Sequence, residues 1–293
     1  VQQPSRDTVL LQLRGRERLL ISANVNRPRI HMTAAAFENP AQPPMFCMLL
    51  RKHLAGGRIA AVTQPIAERS IDLALDCTDE MGVPCQKHLI LELMGRNSNL
   101  ILTGSDGRII DCLRRVDFEM SELRQVLPGL FYHEPPRQGK RIPQEVLLSD
   151  IQSMLSEVES SKRLDKWLLD SFAGISPLIA RELAYRFSGE TDADISALDR
   201  GRLAAYLAQA LPMNGEKRPV MLLREGVPTD FSFCEIGQYG AYMENRPYES
   251  FSALLDAFYT QTDHADRMRQ KSQTLRKTIT TLRERTLRKL EQQ

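Results

Sequence analysis

The stretch that decides the fold is HLILELMGRNSNLIL, residues 88–102. Two apolar runs, 88–93 and 99–102, flank the polar sequence Gly95-Arg96-Asn97-Ser98. Short apolar runs separated by a few polar residues that include glycine are typical of a β-hairpin. The stretch therefore predicts two antiparallel strands joined by a tight turn.

Similar short segments recur through the first 140 residues. They are 8–13, 18–22, 57–62, 71–76 and 108–113. Close spacing and polar turns favour an antiparallel sheet or sandwich. One helix is predicted at 45–54, because Pro43-Pro44 precedes it and Gly56-Gly57 follows it. These elements indicate an α+β protein.

The pattern changes twice along the chain. We predict a β-rich domain at 1–142, a helical domain at 143–215, strands that rejoin the first sheet at 216–251, and the start of a coiled-coil arm at 252–293. Apolar residues at helical spacing support the helical domain, and a stripe from Met268 to Leu290 supports the arm.

The helical domain contains a turn that resembles a helix-hairpin-helix. Gly174 would let two helices meet closely, and Ser176 would cap the second helix, with Pro177 at its first position. Backbone N–H groups at such a helix start can bind phosphate. The alternative is that Gly174 only allows the helices to cross, and both interpretations stay open.

The net charge of +2 hides an uneven distribution. Arginine supplies 30 of the 39 basic residues, and arginine suits bidentate phosphate contacts better than lysine does. Residues 145–200 carry an acidic excess, whereas 267–291 hold nine basic and two acidic residues. The arm is either a solvated coiled-coil exterior or a surface for rRNA. In the second case these residues would face the rRNA: Arg276, Lys277, Arg283 and Arg285.

Several classes of protein are excluded by absent patterns. The sequence has no nucleophile elbow, Walker A or zinc-protease motif, and its five cysteines are scattered. We predict no catalytic residue, metal or cofactor. Neither a signal peptide nor a membrane span is visible, so we expect a cytoplasmic protein with no membrane partner. A start without methionine and an uncapped helical end make us expect a fragment of a longer chain.

Ordered matches along the whole chain resemble the NFACT family. They begin with Leu19-Leu20-Ile21-Ser22-Ala23-Asn24, Arg29-Ile30-His31 and Glu38-Asn39-Pro40, and continue with Pro43-Pro44-Met45-Phe46-Cys47-Met48-Leu49-Leu50-Arg51-Lys52-His53. They end with Gly56-Gly57-Arg58-Ile59, Glu92-Leu93-Met94-Gly95-Arg96-Asn97-Ser98-Asn99 and Val126-Leu127-Pro128-Gly129. Beyond this chain, the family would add a short N-terminal segment, the rest of the coiled coil and a C-terminal region.

The resemblance implies a non-enzymatic factor of ribosome-associated quality control. Such proteins bind the large ribosomal subunit when a nascent chain blocks it, and they recruit aminoacyl-tRNA for C-terminal tailing, by alanine in bacteria. The ribosome supplies the peptidyl-transferase chemistry. Expected partners are therefore the large subunit, its rRNA and alanyl-tRNA. The resemblance also implies an N-terminal fold like that of formamidopyrimidine-DNA glycosylases.

The resemblance also carries residue roles. A family Asp-Arg pair that serves tRNA recruitment falls on Glu68-Arg69, where the acid is one methylene longer. Arg69 would contact tRNA and Glu68 would orient it, or the two would form a loop ion pair worth about 0–1 kcal/mol. Arg96 and Asn97 are further tRNA candidates. The other motif residues are expected to be mostly structural: Arg51, Lys52, His53, Glu92, Met94 and Gly95.

Two other functions stay open at this point. Members of the family are also described as fibronectin-binding proteins, which makes a surface adhesin the second hypothesis. The third is a DNA glycosylase, which would need a catalytic N-terminal amine and usually a zinc finger. The cysteine pattern does not provide that finger.

Overall fold

A computed structural model describes residues 1–158 and 161–261 of the chain. The chain divides into two compact units, Val1–Glu216 and Lys217–Gln293. The first unit holds the β-rich region and the helical region, and the second holds a small sheet and a helix. The predicted α+β class is confirmed.

The first sheet contains four antiparallel strands in sequential order. They are β1 (Gln2–Ser5), β2 (Thr8–Gln12), β3 (Arg18–Ser22) and β4 (Arg29–Met32). The predicted segments 8–13 and 18–22 form a hairpin across Gly15, with Leu10 opposite Leu20. Strands β1 and β4 were missed, because each has only four residues, and in β4 the alternating pattern is reversed, with polar Arg29 and His31 buried.

A helix and a second antiparallel sheet follow. The elements are α1 (Met45–Leu54), β5 (Arg58–Thr63), β6 (Ser70–Thr78), β7 (Pro84–Glu92), β8 (Asn99–Gly104) and β9 (Ile109–Cys112). The five strands pair in sequential order. The predicted hairpin at 88–102 is confirmed, with Leu91 opposite Leu100. The predicted segments 57–62 and 71–76 also pair, with Ile59 opposite Leu75.

The two sheets and α1 share one hydrophobic core. From the second sheet, alternate residues such as Leu73 and Leu89 point into it, where they pack with Leu50 of α1 and Ile21 of the first sheet. Because side chains alternate across a strand, Asp72 lies on the opposite face of β6. That outer face is only partly covered, by a smaller apolar cluster of these residues: Ile90, Ile101, Ile109, Cys112 and Val126.

Four helices complete the first unit. They are α2 (Leu148–Ser156), α3 (Leu164–Ser171), α4 (Pro177–Ser188) and α5 (Arg200–Ala210). Helix α2 packs on α5 and α3 packs on α4. Trp167 and Phe172 are buried at the α3 end with their rings edge to face, 5.6 Å between centroids. All four helices begin and end within residues 143–215.

The second unit contains a sheet of its own. Its strands, β10 (Val220–Arg224), β11 (Val227–Ser232) and β12 (Glu244–Pro247), pair in the order β11–β10–β12. The expectation that 216–251 rejoins the first sheet is therefore wrong. Glu225 and Gly226 both have positive φ, which suits a two-residue hairpin turn between β10 and β11. Local pairing with β11 and β12 occupies both hydrogen-bonding edges of β10.

A helix begins at residue 251 and is described as far as 261. The predicted arm residues Arg276, Lys277, Arg283 and Arg285 lie outside the described residues. Within 1–158 and 161–261, no helix is both long enough and apolar enough to cross a membrane.

Candidate nucleic-acid interface

The loop between β5 and β6, residues 64–69, carries the predicted Glu68-Arg69 pair. The Gln64 side chain donates a hydrogen bond to the Glu68 carbonyl at 2.7 Å, and the Glu68 amide donates to the Pro65 carbonyl at 3.2 Å. Ala67 has a φ of +60°, a left-handed conformation that is uncommon for a residue with a Cβ. These contacts fix the backbone of the loop.

Glu68 is half-buried and Arg69 is exposed. Over the described residues, no ion pair joins them, and the Arg69 guanidinium has no hydrogen-bond partner. The predicted loop ion pair between them is therefore not formed in this structure. The charged end of Arg69 is available to a ligand from solution.

The loop between β7 and β8, residues 93–98, is built around a short 3-10 turn. Gly95 has a φ of +55°, and the buried Ser98 hydroxyl accepts a hydrogen bond from the Met94 amide at 2.9 Å. Met94 is half-buried, whereas Arg96 and Asn97 are exposed. Among the described residues, neither of these two exposed side chains has a hydrogen-bond partner. The turn thus presents a cationic and an amide side chain to solvent.

Arg114 stabilises the loop 93–98 through hydrogen bonds and an ion pair. Its guanidinium donates to the carbonyls of Arg96 and Ala23, each at 3.0 Å, and forms a 3.0 Å ion pair with Asp7. The Arg114 backbone is held in turn by the buried Asn99 side chain, at 2.9 and 2.7 Å. Sequence reasoning missed Arg114, since its partners lie 15 to 107 positions away along the chain.

Glu92 starts the family motif but is buried under the loop. Its carboxylate makes a two-pronged contact with the Arg124 guanidinium and accepts a hydrogen bond from the Tyr132 hydroxyl at 3.0 Å. Burial, followed by the negative charge of Glu92, raises the pKa of Tyr132 above its ordinary value, so the phenol stays a donor. Glu92 is thus a structural anchor for the segment around Arg124 and Tyr132.

Two contacts bring the loops and the α3–α4 turn together. The Leu93 amide donates to the Arg69 carbonyl at 2.8 Å, which ties the second loop to the first. A Cβ placed on Gly174 would lie 3.3 Å from the Cα and Cβ of Ala67, so the turn touches the first loop. We call the surface formed by 64–69, 93–98 and the turn 172–177 the three-loop edge.

The predicted start of α4 is present in the turn. Gly174 has a φ of +72°, and the Ser176 hydroxyl accepts a hydrogen bond from the Ile179 amide at 3.3 Å, with Pro177 opening α4. The positive end of the α4 dipole therefore lies beside the Arg69 loop. This position was not visible in the sequence, where Gly174 and Ala67 are far apart.

The motif at the end of α1 lies elsewhere. The Arg51 guanidinium donates to the Val1 carbonyl at 2.8 Å, and Lys52 pairs with Glu80 in the β6–β7 turn. Burial and the neighbouring lysines lower the pKa of His53, whose carbonyl accepts a hydrogen bond from Lys87. Because the β6–β7 turn is at the other end of β6, these residues are not part of the three-loop edge.

The whole chain resembles one family of proteins. Residues 1–293 match the NFACT N-terminal and middle domains. The Rqc2 homolog RqcH of Bacillus subtilis (strain 168) is 34% identical over 302 residues, which cover 99% of this chain and 50% of that protein. The Rqc2 homolog RqcH of Streptococcus suis (strain 05ZYH33) is 31% identical over 295 residues, with coverage of 99% and 49%. The chain therefore spans about half the length of the curated relatives it matches.

Solved structures with the same fold come from proteins named for other ligands. The fibrinogen binding protein from Staphylococcus aureus superposes with a TM-score of 0.72 and 29% identity, covering 88% of this chain and 90% of that one. The N-terminal part of the fibronectin/fibrinogen-binding protein from Streptococcus suis gives a TM-score of 0.70 and 27% identity, with the same coverage.

Proposed function

Because the chain belongs to the NFACT family, we propose that it acts as a ribosome-associated quality-control factor. It binds large ribosomal subunits blocked by a nascent chain and recruits aminoacyl-tRNA for C-terminal tailing, by alanine in bacteria. The ribosome performs the peptidyl transfer, so the protein is a non-enzymatic binding factor that works in the cytoplasm. The likeness to the two RqcH proteins supports this assignment.

The observation that carries the proposal is that Arg69 and Arg96 lie together on the three-loop edge. Arg69 and Arg96 reach solvent from neighbouring loops, and neither guanidinium has a hydrogen-bond partner among the described residues. A free guanidinium binds phosphate through paired N–H donors. We assign the phosphate contacts to these two arginines, a nearby polar contact to Asn97, and the orientation of Arg69 in the RNA-bound state to Glu68.

We include the α3–α4 turn in the same tRNA surface. The start of α4 offers backbone donors and a positive dipole end, both of which favour a phosphate. Gly174 and Ser176 would then form a helix-hairpin-helix phosphate site that extends the arginine pair. The acidic excess of 145–200 limits this site to the turn itself. The likeness to the glycosylase N-terminal fold concerns the fold alone and implies no base excision.

Arginine substitutions test the proposal directly. With the full-length protein on purified large subunits, we expect Arg69→Ala and Arg96→Ala each to weaken tRNA binding at least about tenfold, as for a lost charged hydrogen bond. The slope of log affinity against log salt should fall by about one for each variant. Arg58→Ala, on the same β5–β6 hairpin but paired with Asp76 at the far end, is the matched control. Wild-type tRNA binding by both variants would refute the assignment.

Fibronectin binding is the second candidate, supported by the names of the structural neighbours. The full-length protein would then bind immobilised fibronectin with an affinity that does not depend on Arg69 or Arg96. Surface plasmon resonance with both variants would separate the two functions, because only the RNA interaction should need the three-loop edge.

A further inference from the structure

A cleft of about 290 Å³ opens on the outer face of the second sheet, beside the three-loop edge. Its floor includes Asp72 of β6, His88 and Ile90 of β7, and Thr103 of β8. Pro65, near the start of the Arg69 loop, and Ser70, at the start of β6, line one side, and Tyr132 lines the other. The cleft is large enough for a single small aromatic group and too narrow for a duplex.

Asp72 makes this cleft unusual. The Nδ1 atom of His88 lies 2.8 Å from Oδ2 of Asp72, so one carboxylate oxygen is engaged. The other, Oδ1, is buried and has no hydrogen-bond partner within 1–158 and 161–261. A buried acceptor without a donor is unfavourable, and ligand N–H groups relieve it. The terminal torsion of an aspartate is broad, so rotation of the carboxylate would turn Oδ1 toward a ligand and would move Oδ2 relative to Nδ1 of His88 at the same time.

The charges of the cleft restrict what can enter it. Asp72 and Glu134 both line it, and among the described residues that line it there is no lysine or arginine. Phosphate is therefore disfavoured inside, whereas Arg69 lies on the loop whose Pro65 lines one side. Ile90 and Pro65 offer apolar surface to the faces of a flat ring. A nucleotide could thus place its base inside while its phosphate stays with the arginines outside.

We propose that the Asp72–His88 cleft receives one unstacked nucleobase through an edge that carries an exocyclic amine. Cytosine, adenine and guanine offer an exocyclic amine to a carboxylate, whereas uracil has no exocyclic amine and offers only its ring N3–H. The inference rests on the proposed RNA-binding function. It adds base selectivity to the contacts that the arginines make with the sugar-phosphate backbone.

A larger cleft of about 370 Å³ lies between Leu123 and Pro136 but makes a weaker candidate. Its main cation, Arg124, is already bound to Glu92. Within the described residues, it contains no buried polar side-chain atom that lacks a partner. It offers no recognition group comparable to Oδ1 of Asp72.

Short single-stranded RNAs test the proposal. Each is a fluorescein-labelled uridine tract with C, A, G, U or an abasic site at one central position, titrated with the full-length protein and read by anisotropy. We expect the C, A or G tracts to bind about five- to tenfold more tightly than the uridine and abasic tracts. Asp72→Ala should abolish that preference and leave affinity for the uridine tract unchanged or higher.

The matched control is Asp76→Ala, which removes a carboxylate from the same face of β6 outside the cleft. This variant should keep the base preference. Equal affinity for all five tracts, no binding to any of them, or a preference that survives Asp72→Ala would overturn the inference. Arginine amide that binds in an Asp72-dependent way, without any base preference, would also overturn it and would assign the cleft to a guanidinium group. The Arg69 and Arg96 experiment judges the proposed function separately, since it reads tRNA binding on large subunits.

Discussion

The two loops at the same end of the second sheet carry similar sequences, Glu68-Arg69 and Glu92 to Arg96, yet they are built differently. Just before the loop 93–98, Glu92 at the end of β7 is buried, and the turn itself is held by Ser98 and Arg114. In the loop 64–69, the acid is half-buried and the braces are mainly backbone contacts. A glutamate one or four positions before an exposed arginine can therefore be a half-buried loop residue, as Glu68 is, or a buried structural residue, as Glu92 is.

Among the substitutions that test this comparison, Glu92→Ala should lower the free energy of unfolding most. Removal of the carboxylate leaves the largely buried Arg124 guanidinium without its ion-pair partner, and breaking such a pair typically costs about 3–5 kcal/mol. Glu68→Ala should change the free energy of unfolding by less than about 0.5 kcal/mol. Urea denaturation of both variants measures the difference, and similar losses for the two would show that the loops do not differ as described.

Arg114→Met should cause the second-largest loss of stability. It removes the donors to the Arg96 and Ala23 carbonyls and the partner of Asp7, and we expect a loss of about 2 kcal/mol. Amide hydrogen exchange should increase in 93–98 but not in 64–69. Arg115→Met, which removes an exposed neighbouring arginine, is the control and should leave exchange unchanged. Equal increases in both loops would show that Arg114 supports the whole edge.

Gly174→Ala tests the contact between the turn and the Arg69 loop. The left-handed backbone should cost about 1–2 kcal/mol, and the new Cβ would press on Ala67 at 3.3 Å. Gly189→Ala has a similar φ of +80° but meets nothing within 4 Å, so it isolates the backbone cost. Thermal denaturation should show a larger loss for Gly174→Ala. Equal losses would mean that the contact with Ala67 carries no energy.

The smallest effect concerns pH and lies away from both loops. Hydrogen bonds from Ser161, and then from Ser196, lower the pKa of Asp194 from 3.8 to about 2. The stability from this carboxylate is present above pH 4 and is lost as the pH falls toward 2. We expect hydrogen exchange near Ser196 to rise over that range in the wild type. In Asp194→Asn, exchange there should be raised at neutral pH and vary less with acidification. The two loops should show no change linked to this residue.

Much of the fold could be predicted from local patterns. The stretch 88–102 predicted its hairpin, and Pro43-Pro44 with Gly56-Gly57 predicted the bounds of α1. These succeed because turn residues and apolar spacing act over a few positions. The predicted pairing of β10 with the first sheet was wrong for the complementary reason. Which strand a segment pairs with depends on all the sheet edges available to it, and β10 pairs with its neighbours β11 and β12.

The sequence by itself determined the element types, the family resemblance and the candidates Arg69, Arg96 and Gly174. Only the tertiary structure decided that these three belong to one edge, because the Leu93–Arg69 hydrogen bond and the Gly174–Ala67 contact join segments that are distant along the chain. It also decided that Glu92 is buried and that Asp72 keeps one oxygen without a donor. Burial and hydrogen-bond satisfaction depend on which strands and loops meet, and no spacing along a single chain encodes them.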